Sequence, residues 1–308
     1  MNLDEIQYIH PDHIERINRA INFINNHLDE PLSLERVAEV ASYSPFHFHR
    51  LFKEIVHETL NAYIIRKRIE KAASVLMRRR EVSITDLYLK YGFNSNSSFT
   101  RAFKKYYGLS PTAFRNKVPD QFSKIRKTES KNGQITVEFE KDICSINNHK
   151  IWNEMNANIE IKEMPVLHVA CISHIGHLYL DSTYEKLLKW ARAKGLLDKP
   201  EVKMLTIYHD SFKVTDPDKV RMSACIAVEE PIRSEGEIDA ARVEKGKFIV
   251  GRFEIAGEDL GKTWSSLFIW LNKNGYKTTE RNCFEIYHND YRTHPERKFI
   301  LDLCIPID

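Results

Sequence analysis

The sequence predicts two domains of different class. The first is an all-α N-terminal domain with two helix-turn-helix units joined by a connecting helix. The second is an α+β C-terminal domain made of two strand-helix-strand-strand repeats with pseudo-twofold symmetry. Three observations predict this. The 308 residues exceed what one hydrophobic core usually occupies. Charge divides along the chain, with 22 Lys and Arg against 15 Asp and Glu in residues 1–131 but 24 against 28 in residues 132–308. Each half also carries a duplication of its own, with helical periodicity in the first and strand alternation in the second.

In the first half, SLERVAEVASYSPFHFHRLFKE from Ser33 realigns with SITDLYLKYGFNSNSSFTRAFKK from Ser83. Phe48, Arg50, Phe52 and Lys53 recur as Phe99, Arg101, Phe103 and Lys104, so the shift grows from 50 to 51 residues and one extra residue falls in a turn of the second copy. Each copy opens on a Ser able to cap a helix and reaches a short turn, Ser42-Tyr43-Ser44 or Gly92-Phe93-Asn94. A second helix follows. Helix, tight turn and amphipathic helix form the pattern whose second helix lies in the DNA major groove. Between the copies, Ile64, Ile65, Ile69, Ala72, Ala73, Leu76 and Met77 trace one face of a connecting helix from Leu60 to Arg78. Such a helix is about 28 Å long, close to the roughly 34 Å between successive major-groove faces. One chain can then set both recognition helices on one side of a duplex without dimerising. A plain helical bundle with solvated charges is the competing reading, and the duplication with its matched spacer counts against it.

Residues 15–115, with LSLERVAEVASYSPFHFHRLFK, the connecting helix and ITDLYLKYGFNSNSSFTRAFKKYYGLSPTAFR, resemble the AraC/XylS DNA-binding domain. The second copy carries the specific motifs, GF-x-S-x-S-x-F-x-R-x-F-K from Gly92 to Lys104 and GLSP-x-x-F-R from Gly108 to Arg115. The first is looser, with Ser42 in place of Gly92 and His57 where a Gly often ends the helix. The resemblance implies base-edge contacts from Phe46, His49 and Arg50 in the first recognition helix and from Asn96, Ser97, Thr100 and Arg101 in the second. Residue chemistry agrees: Arg can donate two bonds to guanine, Asn can bond adenine, and an aromatic can press on a thymine methyl. Arg66, Lys67, Arg78, Arg79, Arg80, Lys104 and Lys105 read as phosphate contacts or solvated charge. His47 and His49, two apart on a helix, diverge by about 200° and suit no shared metal. Phe48, Phe52, Phe99 and Phe103 read as core.

From Asn116 to Asn158 the chain is polar and broken by Pro119 and Gly133, although ITVEFE at 135–140 alternates as a short strand. The domains are therefore set at 1–118 and 159–308, with a linker over 119–158. In the second half Tyr184, Leu187, Trp190 and Gly195 recur 80 residues later as Trp264, Leu267, Trp270 and Gly275. MLTIYHD at 204–210 recurs as CFEIYHN at 283–289, and CIAV at 225–228 as CIPI at 304–307. Each unit reads strand, helix, strand, strand: 166–175, 180–195, 203–210 and 222–229, then 247–255, 260–274, 282–288 and 298–306. Helices are expected on one sheet face.

This half resembles the GyrI-like small-molecule-binding domain through TWSSLFIWLNKNGY and the following FEIYHND. The domain order is that of Rob-like transcriptional regulators. The resemblance implies an amphipathic, often cationic effector beside an acid in the central strand, which maps to Glu285, with Tyr287, Tyr208, Trp264 and Phe253 as further effector-site candidates. Alternation puts Cys283, Glu285 and Tyr287 on one face and Phe284 and Ile286 on the other, the latter expected against the helices. The repeat mate of Glu285 is Thr206, so the fold does not demand an acid there. A carboxylate among aromatics suits an organic cation. A surface Glu paired to a Lys or Arg is the competing reading. Trp190 and Trp270 read as core, and His174 and His177 as surface histidines with no acid nearby.

A hydrophobic content of 42% and a charged content of 29% are ordinary for a globular chain. The N-terminus MNLDEIQYIH lacks a signal pattern, and no window of roughly 20 apolar residues is present, so no membrane association is expected. Cysteines at 144, 171, 225, 283 and 304 form no CxxC pair and fit reduced cytoplasmic thiols. No metal, cofactor or catalytic residue is expected. The reading is a DNA-binding transcription regulator with double-stranded DNA, a small-molecule effector and RNA polymerase as partners. Two alternatives stay open: a hydrolase using Glu285 with Tyr287 or Tyr208, and a protein-interaction module.

Overall fold

The computed structural model describes residues 11–79, 81–117, 124–129, 135–140, 152–153, 157–197 and 202–308. Arg80, Pro119, Gly133 and Cys144, and the side chain of Arg78, lie outside the described residues. Two compact units divide the chain, one within 1–141 and one within 142–308.

The first unit runs α1 (Pro11–Asn26), α2 (Leu34–Val40), α3 (Pro45–Val56), α4 (Leu60–Arg78), α5 (Ile84–Lys90), α6 (Asn96–Tyr107) and α7 (Pro111–Lys117). Their starts follow from side-chain caps. Ser33, Ser44, Thr59, Ser83 and Ser95 accept from the backbone N–H three residues on, which typically stabilises a helix by about 1 kcal/mol each. The duplicated turns share a conformation: φ is 56° at Ser42 and 66° at Gly92, and at the ends of α3 and α6 it is 59° at His57 and 68° at Gly108. The first copy thus holds a left-handed backbone without the glycine that would favour it.

Phe48 and Phe52 are buried with Ile17, Ile21, Val37 and Tyr63, and Phe99, Phe103, Tyr107 and Phe114 pack with ring centroids 4.9–5.7 Å apart. The connecting helix α4 has the bounds its periodicity predicts, but two of its expected surface cations are misplaced by that reading. Arg66 and Lys67 are 5% and 0% exposed. Arg66 donates to Glu58 and, at 3.1 Å, to Glu70, and Lys67 lies 3.4 Å from Glu70. Burial alone would lower the Arg66 pKa, but the bond to Glu58 and the charges of Glu70 and Glu58 hold it above its ordinary value. Both faces of α4 are covered by packed helices, so only a paired cation can lie there.

The second unit holds β3 (Ala157–Met164), β4 (Leu167–Ile175), α8 (Leu180–Ala193), β5 (Met204–Tyr208), β6 (Arg221–Val228), β7 (Asp239–Val243), β8 (Gly246–Ile255), α9 (Leu260–Lys273), β9 (Cys283–Tyr287) and β10 (Phe299–Pro306). One antiparallel sheet forms in the order β3-β8-β10-β9-β5-β6-β4-β7. β3 precedes β4 in the chain but pairs with β8, and β7 precedes β8 but pairs with β4. α8 packs on Ala170, Ile172, Ala224 and Ile226 through Leu187 and Ala191. α9 packs on Ile249, Leu301, Leu303, Cys283 and Tyr287 through Leu267 and Leu271.

The helix-covered face is therefore the one carrying Cys283, Glu285 and Tyr287, opposite to expectation. Phe284 and Ile286 instead join a buried cluster of strand residues, among them Leu205, Ile207, Cys225, Phe248 and Cys304. Alternation separates two faces but does not say which one a helix covers, and here both are apolar.

Within the segment assigned to the linker, β1 (Lys124–Glu129) and β2 (Ile135–Glu140) pair as an antiparallel hairpin. Asn153 joins the second unit, donating to Ser266 O at 3.0 Å and accepting from Ser266 Oγ at 2.7 Å. The two expected surface histidines are also engaged. His174 bonds Thr183 Oγ1 and Leu178 O, each at 2.8 Å, and His177 lies 3.3 Å from Asp218, an acid brought in by a distant loop.

Candidate functional site

Two surfaces qualify. In α3, burial of Phe48, Leu51 and Phe52 turns Phe46, His49 and Arg50 outward, and Phe46 is 85% exposed. In α6, burial of Phe99, Phe103 and Tyr107 turns Asn96, Ser97, Arg101, Lys104 and Lys105 outward. Thr100 is half-buried, with its hydroxyl donating to Asn96 Oδ1 at 3.1 Å. Each helix thus offers one Arg two turns or less from a capped N-terminus, on the face opposite its core. Lys53 is exposed one turn beyond Arg50 and was not among the candidates. Its repeat mate Lys104 was, so the duplication itself was the signal. His47 packs on Tyr43 and His13 with centroids 5.0 and 6.2 Å apart, while His49 is exposed.

The second site sits where β5 meets β9, with Thr206 opposite Glu285. Glu285 is wholly buried. Trp264 Nε1 donates to its Oε1 at 2.7 Å, Tyr287 Oη donates to its Oε2 at 2.5 Å, and the Tyr208 hydroxyl is a third partner. Tyr287 Oη also lies 2.9 Å from Thr206 Oγ1. Tyr184 reaches the same group from α8, donating to Leu205 O at 2.6 Å with Thr206 Oγ1 at 2.9 Å. Tyr208 meets Trp264 edge-on at 5.8 Å, and Tyr184 meets Tyr287 edge-on at 6.2 Å.

Among the described residues, every bond to Glu285 comes from a neutral donor, so the competing reading of a surface Glu paired to a Lys or Arg fails on both counts. Burial raises its pKa above the usual carboxylate range, against the lowering effect of Tyr287, Trp264 and Tyr208. Burial likewise pushes the Tyr184, Tyr208 and Tyr287 phenols well up, so they remain donors. Phe253 is buried in the apolar cluster that contains Trp264 and Tyr287. Tyr184 was not among the candidates, though it is the repeat mate of Trp264.

Family models match both units. Residues 37–117 match a helix-turn-helix domain, and residues 157–308 match the GyrI-like small molecule binding domain. The regulatory protein SoxS of Salmonella typhimurium is 32% identical over 106 residues, which are 98% of that protein and 34% of this chain. The chain belongs to the AraC/XylS family. Its helical domain also matches the right origin-binding protein of Escherichia coli K12, 42% identical over 99 residues. That match spans about a third of each protein, 34% of the relative and 32% of this chain. The crystal structure of the EcmrR C-terminal domain aligns with 49% of the chain and 98% of its own length, at 19% identity and a TM-score of 0.41. Among the described residues, no helix is long and apolar enough to cross a membrane.

Proposed function

We propose that this chain is a cytoplasmic, one-component transcription regulator. Its helical domain, residues 1–118, reads double-stranded DNA with α3 and α6, through Phe46, His49 and Arg50 and through Asn96, Ser97, Thr100, Arg101, Lys104 and Lys105. Its C-terminal domain, residues 159–308, binds an amphipathic organic cation and is a binder, not an enzyme. RNA polymerase is the partner through which the effector acts. The exposed polar faces of α3 and α6 support the first assignment.

The observation that carries the effector reading is a wholly buried carboxylate held by neutral donors alone, walled by Trp264, Tyr208 and Tyr287. A charge kept from water without a counterion is costly, and a cationic ligand supplies what is missing. The aromatic walls add cation–π attraction. We also read the domain as two repeats about a pseudo-twofold axis between β5 and β9. The sheet order β8-β10-β9 followed by β5-β6-β4, and the opposition of Thr206 to Glu285, support it. Glu285 then gives one half of a near-symmetric site its charge.

Titration of a cationic dye tests this. Glu285→Gln keeps the side-chain shape and should lose about 1–3 kcal/mol of dye affinity, with neutral analogues little affected. Thr206→Val is the control in the other repeat. Unchanged dye affinity in Glu285→Gln would remove Glu285 from the site, and a larger loss at Thr206 would move the site into the first repeat.

A further inference from the structure

Arg68 stands near the middle of α4, and its guanidinium donates to backbone carbonyls in both helix-turn-helix units. Nε reaches Leu28 O at 2.8 Å and Nη2 reaches Glu30 O at 2.7 Å, both in the segment that leads into α2. Nη1 reaches Gly92 O at 3.2 Å, in the turn between α5 and α6. Each contact lands next to an element that carries a recognition helix: α2 hands over to α3, and the Gly92 turn hands over to α6.

Two further observations bear on this contact. On the first side, Arg36 fixes the same segment by donating to Pro31 O at 3.0 Å and pairing with Glu30 at 2.7 Å, so the carbonyls Arg68 reaches are held from behind. On the second side, Gly92 has φ of 66°, and a Cβ built there would lie 2.8 Å from Arg68 Nη2 and 2.9 Å from Cζ. Gly92 therefore serves both the turn and the close approach of the guanidinium. The matching turn in the first copy uses Ser42, whose carbonyl takes a bond from Arg16 within its own unit at 3.3 Å. Among the described residues, the bridging contact belongs to the second turn alone.

A planar fork with three bonds of fixed direction resists rotation and translation of one unit against the other, which a flexible ammonium or an apolar contact does not. We infer that Arg68 is a positioning residue: it fixes the separation and angle of α3 and α6, and so the spacing of the two DNA segments the protein accepts. This rests on the proposal that both helices enter the major groove.

The test uses the full chain and a duplex selected by the wild-type protein from a randomised library. Affinity is measured for that duplex, for versions with one base pair added or removed between its halves, and for versions with one half scrambled. One pair moves the halves by about 3.4 Å and about a tenth of a turn. Wild type should discriminate sharply against the altered spacings. Arg68→Met should weaken binding to the selected duplex about tenfold, leave the half-scrambled duplexes nearly unchanged, and shrink the spacing discrimination about tenfold. Arg68→Lys, which keeps charge and stem and reaches one carbonyl at a time, guards against a folding failure and should shrink it about threefold. The inference is overturned if both variants keep the wild-type discrimination ratio, including the case where they bind every duplex equally less well. If wild type itself shows no dependence on one of the halves, the two-helix proposal fails, and the role of Arg68 falls with it.

Discussion

Glu285 is the residue on which chemistry and stability meet. Its pKa is raised in the folded protein because burial outweighs three neutral donors. The folded state therefore holds the proton more tightly than the unfolded state. Stability from this group is fully present below the ordinary carboxyl pKa and is lost as pH rises toward the folded value. Glu285→Gln, which does not titrate, should remove that slope. Urea unfolding between pH 4 and 8 measures it, and parallel profiles for the two proteins would contradict it. Cation affinity has the opposite slope in wild type, because a bound cation favours the ionised form. Glu285 stands out in the sequence because its repeat mate is Thr206. Its burial behind α9 was not legible there, since period two gives no sign for the covered face. At the DNA surface, Arg50→Ala or Arg101→Ala should cost roughly 1–3 kcal/mol on a selected duplex and relax sequence preference in one half of it. Equal weakening on all duplexes would make both residues phosphate contacts.

The elements with a strong internal pattern are the ones the sequence discloses. The connecting helix is found at Leu60–Arg78, where its apolar face ends, and α8 and α9 begin at the predicted residues. Edge strands are the ones it hides. β3 reads ANIEIKEM, with three charged residues, and β7 reads DAARV; each pairs on one side only, and charge on an edge is what keeps a sheet from adding further strands. β1, KIRKTE, hides for lack of an apolar alternation. The pairing of Arg66 and Lys67 with Glu70 could be read from their i+4 and i+3 spacing on one helix, but their burial could not, because only tertiary packing covers that stretch of α4. Duplication also exposes a strain. Ser42 and His57 hold φ of 56° and 59° where the second copy has Gly92 and Gly108. Ser42→Gly and His57→Gly should each stabilise the helical domain by about 0.5–1 kcal/mol. Thermal unfolding checks this, and a loss at both positions would mean that their side chains matter more than the backbone.

At the scale of the whole molecule, the basic first half and the acidic second half suit a polyanion for one domain and a cation for the other. With both helix-turn-helix units on one chain, a monomer should protect two major-groove segments about 10 base pairs apart without needing a palindrome. Protection found only on inverted repeats would contradict this. The central claim joins the two domains: a cation at Glu285 alters what the DNA-bound protein does at a promoter. The most direct measurement is transcription in a purified system from a promoter carrying the selected duplex, with and without a cationic dye, for wild type and Glu285→Gln. Wild type should change transcript yield on adding dye, while Glu285→Gln should occupy the same DNA and give the same yield with or without it. An equal response from both proteins, or none from wild type although the dye is bound, would contradict the account.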